Sequence, residues 1–245
     1  MRRRHERGRV LAPGETRLFG SGIELDATVG RDAGQVRAER QVARRGRRGR
    51  LRAGAKPGGR AARLEPVRAA RRPGRRFVTD AGGNDLLEVA ANGDVSLVTT
   101  FAPLAAPAPF LRSDPVPTAV ERGPDGALYV SQLTGVPFLA GSAGIYRVVP
   151  GQAPQLYAGD FKSINDFTFG EDGSIYLVEY ASAPVFFGGP GRLIRVAPDG
   201  TRTLITTTLV RPTGVALGPE GELYVSQKAG LGDLGGAGEV LRIEP

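Results

Sequence analysis

The sequence predicts an all-β protein built from repeated four-stranded units, and three observations lead to this prediction. A motif of 16 residues recurs along the chain at a nearly constant step. Each copy contains a glycine-bounded turn between two short runs that are rich in apolar residues and Tyr. A second, shorter motif follows the first and keeps the same step, so the repeating unit contains more than one hairpin.

The repeat is clearest at Tyr129, Tyr176 and Tyr224, which are spaced 47 and 48 residues apart. The copies of the longer motif are Pro117–Gln132, Ile164–Glu179 and Pro212–Gln227. The copies of the shorter motif are Ile145–Val149, Leu193–Ala197 and Val240–Glu244. A fourth, degraded copy begins within Phe77–Asp80 and continues with Leu86–Ala90.

Each unit is expected to form an antiparallel meander of four strands. The Gly-Pro-Asp-Gly turn at 123–126 and the Gly-Pro-Glu-Gly turn at 218–221 reverse strand one into strand two, because Pro sets φ and Gly accepts positive φ. Asn92-Gly93 and Asp199-Gly200 are hairpin turns between strands three and four. Four-stranded units of this length are typical of β-propeller blades, whereas a β-sandwich gives no reason for the repeat. The blades are predicted near 77–101, 117–158, 164–208 and 212–245.

The number of predicted blades is smaller than a closed ring requires. Residues 77–245 supply about three and a half units, while propellers close with about four to eight blades. An open ring leaves two apolar blade faces bare, at roughly 1.5 to 3 kcal/mol for each large side chain. We therefore expect the remaining blades upstream of Phe77, including a strand that completes the last blade.

The net charge of +8 averages two unlike parts of the chain. Residues 1–76 hold 23 Lys and Arg against 7 Asp and Glu, whereas residues 77–245 hold 10 against 18. Residues 1–76 have one aromatic residue and no sustained periodicity, which predicts a disordered segment. Three interpretations of it stay open: an arm that binds nucleic acid, a solvated basic tail, and a displaced reading frame of a G/C-rich gene. We favour the third, because such a frame over-produces Arg, Ala, Gly and Pro.

The composition excludes several kinds of site. Without cysteine there is no disulfide, thiol nucleophile or Cys-ligated metal. The single histidine, His5, lies within an arginine cluster and is a poor candidate for a Ser-His-Asp mechanism. No apolar run is long enough to span a membrane, and no signal peptide is visible. The glycine-rich stretch at 232–238 lacks the lysine of a phosphate-binding loop, so nucleotide binding is not expected.

The motifs resemble the NHL-type and gluconolactonase-like, or TolB-like, six-bladed propellers. The fuller set resembles the ScyD/ScyE family of bacterial proteins, through Asp80–Leu87, Tyr129–Phe138, Ile145–Pro150 and Leu193–Thr201. The resemblance covers residues 77–245. It implies a six-bladed propeller that is usually exported and has no settled biochemical activity.

In such a fold the long connections share one face, because the turns from strand one to two and from three to four occupy the other. These connections are 102–116, 133–144, 181–191 and 228–238. Long loops on a rigid scaffold usually carry function, so we expect a ligand site on this face. The polar residues predicted to line it are Asp80, Gln132, Asn165, Asp166, Glu179 and Gln227.

Two functions remain open. The first is a binding scaffold without a catalytic site, whose ligand is a small molecule, a saccharide or a protein. The second is a metal-dependent lactonase or hydrolase, since gluconolactonase-like propellers hold a divalent cation with carboxylate and amide oxygens. Asn165, Asp166 and Glu179 are weak candidates for a calcium-like ion. No cofactor, nucleic-acid partner or membrane span is expected, and capping of a local turn is the simpler role for Asn165 and Asp166.

Overall fold

The structure is a computed structural model that describes residues 19–20, 23–24, 66–72, 74–183, 188–228 and 238–244. Every regular element within these ranges is a β-strand. None of the described segments is a helix that could cross a bilayer. β1 (Phe19–Gly20) and β2 (Ile23–Glu24) pair as a short antiparallel ladder.

Four larger sheets follow, and each is an antiparallel meander. Blade 1 contains β3 (Pro66–Arg72), β4 (Arg75–Asp80), β5 (Asp85–Ala90) and β6 (Val95–Thr100). A two-stranded ladder of β7 (Leu104–Ala105) and β8 (Arg112–Ser113) precedes the next blade. Blade 2 contains β9 (Pro117–Arg122), β10 (Leu128–Gln132), β11 (Ala143–Val148) and β12 (Gln155–Phe161).

Blade 3 contains β13 (Ile164–Phe169), β14 (Ile175–Glu179), β15 (Gly191–Val196) and β16 (Arg202–Leu209). Blade 4 has three described strands, β17 (Gly214–Leu217), β18 (Leu223–Gln227) and β19 (Glu239–Ile243). The first strands of neighbouring blades lie side by side, with β9 between β3 and β13 and with β13 beside β17. The predicted β-propeller architecture is therefore confirmed.

Blade 1 begins upstream of the boundary expected at Phe77. β3, whose composition predicted disorder, pairs with β4, with Ala69 opposite Val78 and Ala70 opposite Phe77. A ladder is built from backbone groups, so an arginine-rich segment pairs as well as an apolar one once the turn at Gly74 reverses the chain. Apart from β1 and β2, the disorder predicted for residues 1–65 lies outside the described residues.

Apolar side chains fill the interfaces between successive blades. The interface of blades 2 and 3 includes Ile145, Phe167 and Leu177, all almost completely buried. Tyr129 of blade 2 packs edge-to-face on Phe169 of blade 3, with ring centroids 5.0 Å apart. Tyr129, one of the three repeated tyrosines, therefore packs between two neighbouring blades.

The same positions are exposed on blade 4. Tyr224 is 38% exposed, whereas its counterpart Tyr129 is 5% exposed. Val240 is 58% exposed, whereas its counterpart Ile145 is completely buried. No further sheet packs on this side of blade 4 within the described ranges, so the periodic apolar side chains lack the cover that blades 1 to 3 provide for one another.

The connections fall into two sets at opposite ends of the strands. The turns between strands one and two, and between three and four, are short and form what we call the short-turn face. The remaining connections, including 101–116, 133–142 and 180–190, form the long-loop face. Seven short turns each contain a glycine with positive φ: Gly74, Gly93, Gly126, Gly151, Gly173, Gly200 and Gly221. These tight turns favour glycine, because glycine adopts positive φ without steric cost.

Replacement of Leu177 by Ala should lower the free energy of unfolding by about 2 to 5 kcal/mol, because it leaves a cavity between blades 2 and 3. Urea unfolding of the full chain measures this loss. The matched control is Leu204→Ala on β16, where the leucine is half exposed and the expected change is within about 0.5 kcal/mol. Equal losses in the two variants would contradict the assigned interface.

Candidate functional site

The long-loop face carries the unusual backbone conformations of the described chain. All eight non-glycine residues with positive φ lie in its connections or at the strand ends beside them. They are Asn84, Leu111, Val116, Thr134, Phe138, Asp160, Arg211 and Lys228. Positive φ is a genuine outlier for β-branched Val116 and Thr134, and backbone strain of this kind clusters at ligand-binding sites. The backbone therefore favours the long-loop face as the functional one.

The four polar residues predicted at the ends of the second strands, Asp80, Gln132, Glu179 and Gln227, are all buried. Two of them bond to backbone rather than face solvent. Glu179 Oε1 accepts a hydrogen bond from the amide of Lys162 at 2.8 Å. Gln227 Oε1 accepts one from the amide of Val210 at 2.7 Å. In both blades the donor lies 17 residues before the acceptor, in the connection that enters the blade.

Blade 2 lacks the corresponding hydrogen bond from a backbone amide 17 residues earlier. The residue 17 positions before Gln132 is Pro115, which has no amide hydrogen to donate. Within the described ranges, Gln132 Oε1 is buried without a hydrogen-bond donor. The Gln132 amide oxygen therefore lacks the backbone bond that Glu179 and Gln227 make, and it is available to a ligand or water. The residue 17 positions before Asp80 is Arg63, which lies outside the described residues.

Asn165 and Asp166 join blade 3 to blade 4. Asn165 Nδ2 donates to the carbonyl of Pro212 at 3.2 Å, and Asp166 Oδ2 accepts from the amide of Val215 at 3.0 Å. Thr118 makes the corresponding bond between blades 2 and 3, donating to the carbonyl of Ile164 at 2.9 Å. The predicted inner polar residues thus connect neighbouring innermost strands.

The predicted metal ligands Asn165, Asp166 and Glu179 do not form a complete coordination site. In the part of the chain that the structure describes, no three His, Asp or Glu side chains lie close enough together to hold a metal ion. Glu179 also has a positively charged neighbour, since Arg192 Nη1 lies 3.8 Å from Glu179 Oε2. Burial raises the pKa of Glu179, while the Lys162 amide and Arg192 oppose that rise.

One buried carboxylate was not expected from the sequence. Asp85 lies directly opposite Asp80 across the β4–β5 ladder, and both side chains are only 1% exposed. Burial and the neighbouring Asp80 raise the pKa of Asp85 to about 7. The sequence could have predicted this pairing of Asp80 with Asp85, because a four-residue turn, 81–84, places the flanking residues opposite each other.

The exposed apolar residues of the long-loop face form a second feature that sequence reasoning missed. Phe110 and Leu111, in the turn between β7 and β8, are 50% and 70% exposed, and Val136 in the next connection is 54% exposed. Ser113 Oγ donates to the carbonyl of Gly135 at 2.8 Å, and the Gly135 amide donates to the carbonyl of Asp114 at 2.7 Å. We call Phe110, Leu111 and Val136 the loop-face apolar patch. The two loops that carry it are bonded to each other.

Two solved structures with a TM-score above 0.5 support the fold, and a third is similar at a lower TM-score. A gluconolactonase from Xanthomonas campestris is 17% identical, with a TM-score of 0.53, over 72% of this chain and 57% of that chain. A hydrazine synthase from Kuenenia stuttgartiensis is 17% identical, with a TM-score of 0.51, over 78% and 49%. A virginiamycin B lyase from Staphylococcus aureus, crystallised in an inactive form with quinupristin, is 14% identical, with a TM-score of 0.47, over 77% and 57%.

At these identities the likeness shows the fold alone. The chain spans little more than half the length of the gluconolactonase and about half that of the hydrazine synthase. No family model matches the sequence, and no curated protein matches it significantly. The resemblance to ScyD/ScyE proteins therefore stays a prediction.

Two substitutions at Glu179 test its backbone role. Glu179→Gln keeps an oxygen for the Lys162 amide, so the free energy of unfolding should change by less than about 1 kcal/mol. Glu179→Ala leaves that amide without its acceptor and should cost about 1 to 3 kcal/mol. Urea unfolding at pH 7 distinguishes the two, and equal stability of the Ala and Gln variants would refute the assignment.

Substitutions at Asn165 and Asp166 test the bonds between blades 3 and 4. Asn165→Ala removes one hydrogen bond and should cost about 1 kcal/mol. Asp166→Asn should cost more, about 1 to 3 kcal/mol, because Asp166 accepts from both Phe167 and Val215 and an amide has only one oxygen. Thermal and urea unfolding measure both losses. A more stable Asp166→Asn protein would indicate that Asp166 is held for a ligand instead.

Proposed function

We propose that the protein is a binding scaffold without a catalytic site, and that it binds its ligand on the long-loop face. One observation carries this proposal. The polar side chains that would serve a hydrolase, Asn165, Asp166 and Glu179, are engaged with backbone groups, whereas the loops expose the large apolar side chains of Phe110, Leu111 and Val136. A surface of this kind is suited to contact rather than to proton transfer.

The loops around the apolar patch are well ordered by backbone bonds. The amide of Leu133 donates to the carbonyl of Val116 at 3.0 Å, and that of Thr134 donates to the carbonyl of Pro115 at 3.2 Å. The connection before blade 2 is thereby bonded to the connection within blade 2. Preorganised loops lose little conformational entropy on binding, so more of the contact energy contributes to affinity.

The ligand class follows from the patch and the charge. A small molecule, a saccharide or a protein can each bury Phe110, Leu111 and Val136, at about 25 cal/mol per Å² of apolar surface removed from water. Nucleic acid is not favoured, because residues 77–245 hold 18 acidic against 10 basic residues. The ScyD/ScyE resemblance implies no settled biochemical activity and usual export, and it supports an extracytoplasmic role.

A ligand screen with paired variants tests the proposal. The full chain is screened by thermal shift against small molecules and oligosaccharides, and each hit is measured by isothermal titration. Affinity should fall at least about ten-fold in Leu111→Ser, because a leucine contributes roughly 1.5 to 3 kcal/mol on burial. Leu204→Ser changes a half-exposed leucine on the outer strand of blade 3 and should leave affinity unchanged. Hits that bind Leu111→Ser as tightly as the native protein would contradict the assigned surface.

A metal-dependent lactonase is the second candidate. It is favoured by the structural likeness to a gluconolactonase and by the burial of Glu179, whose Oε2 has no hydrogen-bond donor within the described ranges. Lactone hydrolysis with Ca²⁺, Mn²⁺ or Zn²⁺ should not exceed the buffer rate if the protein is a scaffold. A metal-dependent rate that is lost in Glu179→Ala and kept in Glu171→Ala, an exposed control, would replace the scaffold proposal.

A further inference from the structure

We propose that the end of the β7–β8 ladder inserts into the surface of a phospholipid membrane without spanning it. We call residues 106–111, which connect these two strands, the hairpin tip. The proposal rests on the long-loop face as the contact face, and it adds a lipid surface to the soluble ligands considered for the apolar patch.

The connection from blade 1 to blade 2 contains ten consecutive residues without a polar side chain. Residues 102–111 read Ala-Pro-Leu-Ala-Ala-Pro-Ala-Pro-Phe-Leu, and residues 107–111 are all exposed. Exposed residues in succession form a projecting tip, whereas sites for small molecules are concave. Exposed apolar surface of this kind is typical of contact with a protein or a membrane.

The backbone of the hairpin tip is largely satisfied by its own hydrogen bonds. The carbonyl of Pro107 accepts the amide of Phe110 at 3.1 Å and that of Leu111 at 3.4 Å. The amide of Ala106 donates to the carbonyl of Leu111 at 3.1 Å. The two prolines of the tip have no amide hydrogen, so at most the amide of Ala108 needs a partner from outside the tip. Because an apolar phase excludes water, a segment enters it at low cost only when its backbone groups are already bonded.

Charged side chains begin only at the base of the hairpin tip. Arg112 follows the tip, Asp114 lies two residues further on, and both are exposed. A shallow insertion of about 5 to 10 Å places this base among the headgroups, where the Arg112 guanidinium can donate to a lipid phosphate. A protein partner is less well matched, because protein interfaces use about one hydrogen bond per 100 to 200 Å² and the tip offers no polar side chain. The position of the charges therefore favours a phospholipid surface.

A second apolar contact lies beside the base of the tip. Val136, which is 54% exposed, belongs to the connection within blade 2. The amide of Gly135 donates to the carbonyl of Asp114 at 2.7 Å, and Ser113 Oγ donates to the carbonyl of Gly135 at 2.8 Å. These bonds hold the two connections together, so the three members of the apolar patch can enter the headgroup region as one surface.

Sedimentation of the full chain with phosphatidylcholine vesicles tests the proposal. These vesicles carry no net charge, and about 0.5 M NaCl screens the arginine-rich residues 1–76, so apolar insertion is measured apart from electrostatic attraction. Half of the chain should be bound at roughly 0.1 to 1 mM accessible lipid, because a short apolar tip binds no more tightly than a single myristoyl chain.

Paired variants assign this binding to the hairpin tip. Leu111→Ser should weaken vesicle binding about ten-fold, because the leucine is 70% exposed in water and loses that exposure in the membrane. Leu204→Ser changes a half-exposed leucine on the outer strand of blade 3 and should bind vesicles like the native protein. Both positions are exposed, so both variants should keep the native Tm without vesicles.

A single tryptophan locates the inserted residue, because the chain contains none. In Phe110→Trp the fluorescence should shift to shorter wavelength when vesicles are added, and lipids brominated on the acyl chain should quench it. Leu204→Trp is the matched control and should show neither change.

The lipid surface and the soluble ligands fail separately. No sedimentation of the native chain with vesicles, equal binding by Leu111→Ser, or an unchanged spectrum of Phe110→Trp would each overturn the lipid proposal. A soluble hit that depends on Leu111, found while vesicles do not bind, would leave the scaffold proposal standing and refute the lipid surface. Vesicle binding that depends on Leu111, without any such soluble hit, would support the lipid surface and refute the soluble ligands.

Discussion

Burial of apolar side chains between neighbouring sheets is the interaction on which the rest of the structure depends. Each blade is one sheet with two apolar faces, and it becomes stable only between other sheets. Leu177, Phe167 and Ile145 are buried because blades 2 and 3 face each other. The hydrogen bonds of Thr118, Asn165 and Asp166 then connect the innermost strands of packed blades and restrict how one blade is placed on the next. The long-loop face is held in shape by this packing.

The repeat could be predicted from the sequence because its causes are local. Turn glycines and alternating apolar residues specify a hairpin wherever they occur, and the spacing of Tyr129, Tyr176 and Tyr224 specifies the blade. The partners of the polar residues could not be predicted, because they are backbone groups brought near by packing: Val215 for Asp166 and Lys162 for Glu179. The arginine-rich strand β3 was missed for a related reason, since backbone pairing with β4 does not depend on composition.

The polar residues at the ends of the second strands show how one position serves several roles. Glu179 and Gln227 accept an amide from the connection 17 residues earlier, and Gln132 lacks that donor because the residue there is Pro115. Asp80 instead faces a second carboxylate across the ladder. Similar residue types at the same place in the repeat therefore make a structural hydrogen bond in two blades, leave an acceptor without a donor in blade 2, and form a buried carboxylate pair in blade 1. The difference comes from the neighbours of each residue rather than from its own type.

The separation of the two faces has a practical consequence for handling the molecule. The chain has no cysteine, and Asp199 lies exposed in a turn on the short-turn face. A single thiol introduced at that position would be the sole point of maleimide attachment. Tethered there to a sensor chip, every molecule would have the same orientation, with its strained loops directed into the flow and accessible to an analyte.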